Sequence, residues 1–174
     1  MNRLGYEISV EARRIKMDIR IVDLPAVAII GKEGFCTEEA NIVQDLWKQA
    51  NENFDEVLGL GRKEKNGAFA GFWGAMSDET MSFLPWTYNF TRGYYLAGIE
   101  VTKDAQAPDG WKKWILPARK YLVTEVMFDH YMETFMDVLE SEIPSRSMKL
   151  SGAACDYTEP STGKNFIYFP VQEI

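Results

Sequence analysis

Glu100 stands in the segment "LAGIEV", an acid in an otherwise apolar run. A carboxylate buried in such a strand loses its hydration, and its pKa rises unless a cation or hydrogen-bond donors meet it. Aromatic rings beside it would reinforce the pull on a cation, because ring faces are negative. An acid so placed can hold a cationic aromatic ligand, or serve as a general acid or base. At a strand end it would instead meet solvent or a backbone amide. Asp156, directly before Tyr157, is the second acid of interest. Asp78 shares its Gly-Ala-x-x-Asp context but opens a long loop, where Asp commonly bonds its own turn.

Rings are plentiful, at 13% of the chain. Trp47, Trp73, Tyr95, Trp114, Tyr121, Phe166 and Tyr168 are the candidate ligand contacts, together with Glu100 and Asp156. Core packing competes for each of these rings. Strand alternation groups some of them. Tyr94, Leu96, Gly98 and Glu100 share one face; so do Tyr121, Val123 and Glu125, and so do Phe166, Tyr168 and Pro170.

Other chemistries find little support. His130 is the one histidine, so multi-histidine metal sites and a Ser-His-Asp device are disfavoured, and neither metal nor cofactor is expected. Cys36 and Cys155 have no metal spacing, and Cys155 has no basic partner nearby in sequence. Both read as reduced thiols of a cytoplasmic protein. The net charge of −7 and pI near 4.8 leave no basic face for phosphates, so no direct nucleic-acid contact is expected. The run Arg13-Arg14-Ile15-Lys16 is too short to serve alone. No leader and no apolar run of about 18 residues appears, so no membrane association is expected.

The elements that would position these residues recur. Residues 1–16 read as an N-terminal arm. "MDIRIVDLPAVAIIGKEG" reads as a strand kinked at Pro25. A helix follows, with Thr37 as its N-cap and Val43, Leu46, Trp47 and Ala50 on one face. "AFAGFWGAM" is a strand whose small residues let another backbone approach, and "YYLAGIEVT" is a further strand. After the turn "APDGW" the order restarts with "KWILPARKYLVTEVM". The second helix has Asp129 as N-cap, Pro144 as stop, and Met132, Phe135, Met136 and Leu139 on its apolar face. "LSGAACDYT" and "NFIYFPVQ" close the chain as two strands. Leu24-Pro25-Ala26 opens the first unit and Leu116-Pro117-Ala118 the second. The strings GAMSD and GAACD take the same place after each helix in this reading. The expected class is α+β, with tandem pseudo-two-fold β-α-β-β repeats and antiparallel sheets. The repeats span about 17–104 and about 112–174, with two helices flanking a central groove. Neither repeat alone would bury enough surface to be stable.

"FWGAMSD", "YYLAGIEV", the Pro-Asp-Gly turn, "WILPARKYLV" and "IYFPV", in that order, resemble the GyrI-like small-molecule-binding domain. This is the effector-binding domain of bacterial AraC-type and multidrug-sensing transcription regulators. The resemblance covers residues 17–174. It implies a groove between pseudo-symmetric halves that takes bulky hydrophobic, aromatic, neutral or cationic compounds; a stand-alone cytoplasmic form is the expectation for this chain. It also implies an alternative activity, hydrolysis of cyclopropane-bearing electrophiles. Glu100 would then activate water, and Tyr121 or Tyr168 would orient the leaving atom. Many members carry Glu where this chain has Phe166, and Asp156 before Tyr157 matches an acid that members often have. A third reading is a protein-interaction module, with a protein partner or a homodimer.

Overall fold

The computed structural model describes residues 17–174; the arm expected over residues 1–16 lies outside the described residues. In chain order the first strands are β1 (Ile19–Leu24), β2 (Val27–Cys36), β3 (Phe72–Ser77) and β4 (Gly93–Val101). They are followed by β5 (Lys112–Leu116), β6 (Arg119–Glu125), β7 (Met148–Leu150), β8 (Cys155–Thr158) and β9 (Asn165–Glu173). Helix α1 (Val43–Asn53) follows β2, and α2 (Tyr131–Asp137) follows β6. The nine strands of the described residues form one antiparallel sheet in the order β1-β6-β9-β8-β3-β4-β2-β5, with β7 beside β9. The fold is α+β, and its strand order is symmetric about the central β3–β8 pair.

Each Leu-Pro-Ala string is a link between two strands. Proline has no N–H to give to a ladder, and it holds the preceding residue extended. The segment stays extended while its pairing is interrupted. Ile19 to Leu24 pair with Thr124 to Arg119, and Val27 to Gly31 continue with Leu116 to Lys112 in the same register. The two kinked segments are therefore partners in one long antiparallel ribbon. Because β1 and β2 lie near opposite ends of the strand order, this ribbon ties the ends together and the sheet curls around an interior.

That interior holds Val27, Ile29, Trp73, Leu96, Trp114, Tyr121, Val123 and Tyr168, all buried. The alternate residues face outward and receive the helices. Leu46 and Ala50 of α1 are buried against a layer that includes Ile30, Tyr95, Ala97 and Ile99. Phe135 of α2 packs in a layer with Leu122, Ile167 and Phe169. Burying one such large aliphatic or aromatic side chain is worth about 1.5–3 kcal/mol, so these layers hold the helices on the sheet.

Several local expectations differ from the structure. Helix α1 starts at Val43, because the Thr37 hydroxyl accepts from Ala40 N–H in a preceding turn while Asn41 Oδ1 accepts from Val43 N–H. Asp129 does not cap α2; its carboxylate lies 3.8 Å from His130. The helix runs on through a wide turn, Val138–Glu142, and ends in Ile143–Ser145, with Pro144 opening that last turn rather than stopping it. Met132, expected on the apolar face, is 60% exposed, while Phe135 and Val138 are buried. The GAMSD and GAACD strings do not superpose. Gly74 to Ser77 lie within β3, whereas Gly152 to Ala154 precede β8, and Gly74 instead sits opposite Asp156.

Asp78 closes the loop after β3. Its carboxylate accepts from the N–H groups of Thr80, Ser82 and Leu84 and from the Thr80 hydroxyl. Burial pushes this carboxyl up, but the hydrogen bonds outweigh it and hold it below the usual carboxylate range. The clamp holds Met81 and Phe83 in left-handed backbone (φ 55° each), with both side chains packed on the interior cluster.

Candidate functional site

The inner face of the sheet carries a connected set of rings. Trp73 contacts Tyr157 at 4.8 Å and Tyr168 at 5.0 Å between ring centroids. Tyr157 and Tyr168 lie 5.3 Å apart, and Tyr121 meets Tyr168 at 5.7 Å. Register produces this set: Trp73 pairs with Tyr157 across β3–β8, and Cys155 with Tyr168 across β8–β9. Gly71 leaves room for it. A Cβ at Gly71 would fall 2.1 Å from the Tyr157 ring. The glycines of "AFAGFWGAM" thus accommodate side chains rather than a backbone, since a Cβ at Gly74 would strike the Tyr95 hydroxyl.

Beside these rings opens a cavity of about 410 Å³, lined by Leu24, Pro25, Arg62, Trp73, Glu100, Tyr157 and Tyr168, among others. Ligand cavities run from about 300 to about 1,000 Å³. The first proline link forms one wall, and the strap around Arg62 and Ala70 forms another. Glu100, 8% exposed, projects into it from β4. Its Oε1 accepts from Arg62 Nε at 2.7 Å and its Oε2 from Trp73 Nε1 at 2.9 Å. Tyr157 donates its hydroxyl to Ala70 C=O at 2.7 Å, and burial pushes that phenol up to about 12, with Tyr168 and Glu100 adding to the effect. It therefore stays a neutral donor.

Of the nine residues singled out for binding, Trp73, Glu100 and Tyr168 line this cavity. Tyr121 lies in the core behind Tyr168, with its phenol raised by burial, and Phe166 flanks Tyr157 at 6.2 Å. Trp114 points inward elsewhere and donates to Glu33 Oε1 at 2.8 Å, under Phe83. Trp47, Tyr95 and Asp156 belong to the opposite face. There Trp47 Nε1 donates to Tyr95 Oη, and Tyr95 donates to Asp156 Oδ2, both at 2.9 Å. Tyr131 of α2 donates to Asp156 Oδ1 at 2.6 Å. Asp156 retains some surface, yet both oxygens are taken by phenols. Burial raises its carboxyl, and the two phenol hydrogen bonds offset part of that. This network fills the seam between the helices, so the cavity opens on the other side of the sheet.

Of the residues named for catalysis, Glu100 and Tyr168 line the cavity and Tyr121 does not, and both oxygens of Glu100 already accept a hydrogen bond. Cys155 is buried, and that burial pushes its thiol up to about 12. The described residues hold no cluster suited to a metal ion. No helix among them is long and apolar enough to cross a membrane. Arg62 and Tyr157 were missed in the sequence. Alternation within the strand places Tyr157 on the same face as Cys155; no spacing marks Arg62. A larger depression of about 520 Å³ lies at the Pro108–Gly110 turn, but its best cation site, the Trp111 face, is already filled by Lys32 at 4.1 Å.

No family model matches the chain. It is 23% identical over 159 residues to the transcriptional regulator BrlR of Pseudomonas aeruginosa, covering 88% of this chain but spanning only 48% of that protein. Among solved structures, the SAV2435 protein bound to tetraphenylphosphonium matches with a TM-score of 0.63 at 15% identity, over 90% of this chain and 94% of that one. The C-terminal domain of EcmrR matches at 0.62 and 9% identity, over 92% and 100%. An integron cassette protein from the mobile metagenome of Vibrio cholerae matches at 0.62 and 15% identity, over 90% and 97%. These likenesses, each over nine-tenths or more of the chain, show that its α+β fold is shared with the SAV2435 protein and the EcmrR C-terminal domain, in keeping with the GyrI-like resemblance.

Proposed function

We propose that this chain is a small-molecule-binding domain whose ligand is a bulky aromatic compound held against Trp73, Tyr157 and Tyr168. The observation that carries this is the cavity of about 410 Å³ on the inner sheet face, with three contiguous rings and the buried Glu100. Flat rings offer stacking area at little entropic cost, and one buried polar group fixes orientation. The likeness to a protein bound to tetraphenylphosphonium supports the ligand class, and the partial match to BrlR supports kinship with regulator effector domains. Ligand binding to the folded state alone raises stability, by about 2.7 kcal/mol at a hundred times Kd. A thermal-shift screen of aromatic compounds tests the proposal: some raise the melting temperature in a saturable way. Absence of any such compound from a broad aromatic panel contradicts it.

A further inference from the structure

Glu100 is not waiting for a cation, because the chain supplies one. Arg62 lies on the strap that borders the cavity, and its backbone N–H donates to Glu100 C=O at 2.9 Å. Its side chain returns to the same residue, with Nε 2.7 Å from Oε1, while Nη2 reaches Glu64 at 3.1 Å. The Arg62 side chain is 41% exposed and the Glu100 side chain 10%. One end of the pair is thus fixed in the sheet, and the other is at the mouth, where it can swing away. The Trp73 N–H occupies the second carboxylate oxygen. The geometry points to Arg62 as a specificity-determining residue: by neutralising Glu100 it turns the cavity toward neutral aromatic ligands, and a permanent organic cation binds only by displacing the guanidinium.

The inference rests on the proposed binding role of the cavity and concerns what that cavity selects. Its physical basis is the cost of an unpaired buried charge. Removing one partner of such a pair leaves the other uncompensated, and an incoming cation relieves that cost. Arg62→Gln should therefore lower the stability of the ligand-free protein and raise its affinity for cations.

Two probes of similar shape distinguish the outcomes, tetraphenylphosphonium and neutral triphenylphosphine oxide. Calorimetric titration of the full chain is expected to show tighter binding of the neutral probe in the wild type. Arg62→Gln should shift the affinity ratio of tetraphenylphosphonium to triphenylphosphine oxide toward the cation about tenfold or more. Arg62→Lys should behave as the wild type, and Arg62→Gln with Glu100→Gln should abolish the gain. If the ratio in Arg62→Gln equals that of the wild type while the neutral probe still binds, the role of Arg62 is overturned and the binding cavity stands. If neither probe binds any variant, the cavity reading falls and the inference with it.

Discussion

Trp73 and Tyr157 face each other across the central strand pair, with ring centroids 4.8 Å apart. One comes from β3 and the other from β8, so the cavity floor is built from both sides of the strand order. Trp73 also anchors Glu100 through its indole N–H. Trp73→Phe keeps a ring and removes that donor. Leaving a buried carboxylate oxygen short of a partner costs about 1–3 kcal/mol. Urea unfolding should show that loss; an unchanged midpoint would mean the hydrogen bond is energetically idle.

Asp156 gives a pH signature. Its carboxyl is raised in the folded state, chiefly by burial. The folded protein therefore binds its proton more tightly than the unfolded chain does. Stability falls as pH rises through the interval that starts near the ordinary value of 3.8 and ends at the raised folded value. Asp78 acts in the other direction: its carboxyl is lowered, so its contribution is lost only as pH drops below 3.8. Asp156→Asn should remove the downward slope above that point. Melting temperatures across mildly acidic to neutral pH check this, and an identical slope in the variant would refute the assignment.

Both thiols should be inert in the native protein. Cys36 and Cys155 are buried, and burial raises each thiol, Cys155 up to about 12. Reaction with a disulfide reagent near neutral pH should be no faster than unfolding, since the thiolate is the nucleophile. Rapid labelling of folded protein would contradict the burial described here.

Gly71 is expected to be intolerant. A Cβ there would meet the Tyr157 ring at 2.1 Å, so Gly71→Ala must push that ring off its Ala70 hydrogen bond. Overpacking of this kind costs about 1–3 kcal/mol. Gly59→Ala, where nothing lies within 4 Å, should be nearly neutral by the same denaturation assay. Equal effects at the two sites would argue against close packing over Gly71.

Much of the frame was legible because it rests on local chemistry. The repeated Leu-Pro-Ala links and the face of α1 follow from proline geometry and from helix period. Alternation also held the key to the site: Tyr95 and Glu100 differ by an odd number of positions, so they had to point to opposite faces of β4. Pairing between the two proline-kinked segments was not legible, because register is set by distant partners. The Gly-Ala-x-x-Asp match failed for the same reason; short runs of small residues carry no register. Arg62 lies in a loop whose spacing says nothing about which acid it meets.

The central claim is that the inner-face cavity binds an aromatic ligand through rings from both β3 and β8. Calorimetric titration of wild type and Tyr157→Ala with triphenylphosphine oxide tests it most directly, with circular dichroism confirming that the variant is folded. Saturable one-site binding to the wild type, weakened about tenfold in Tyr157→Ala, is the predicted result. No binding to the wild type, or equal affinity in the folded variant, would contradict it.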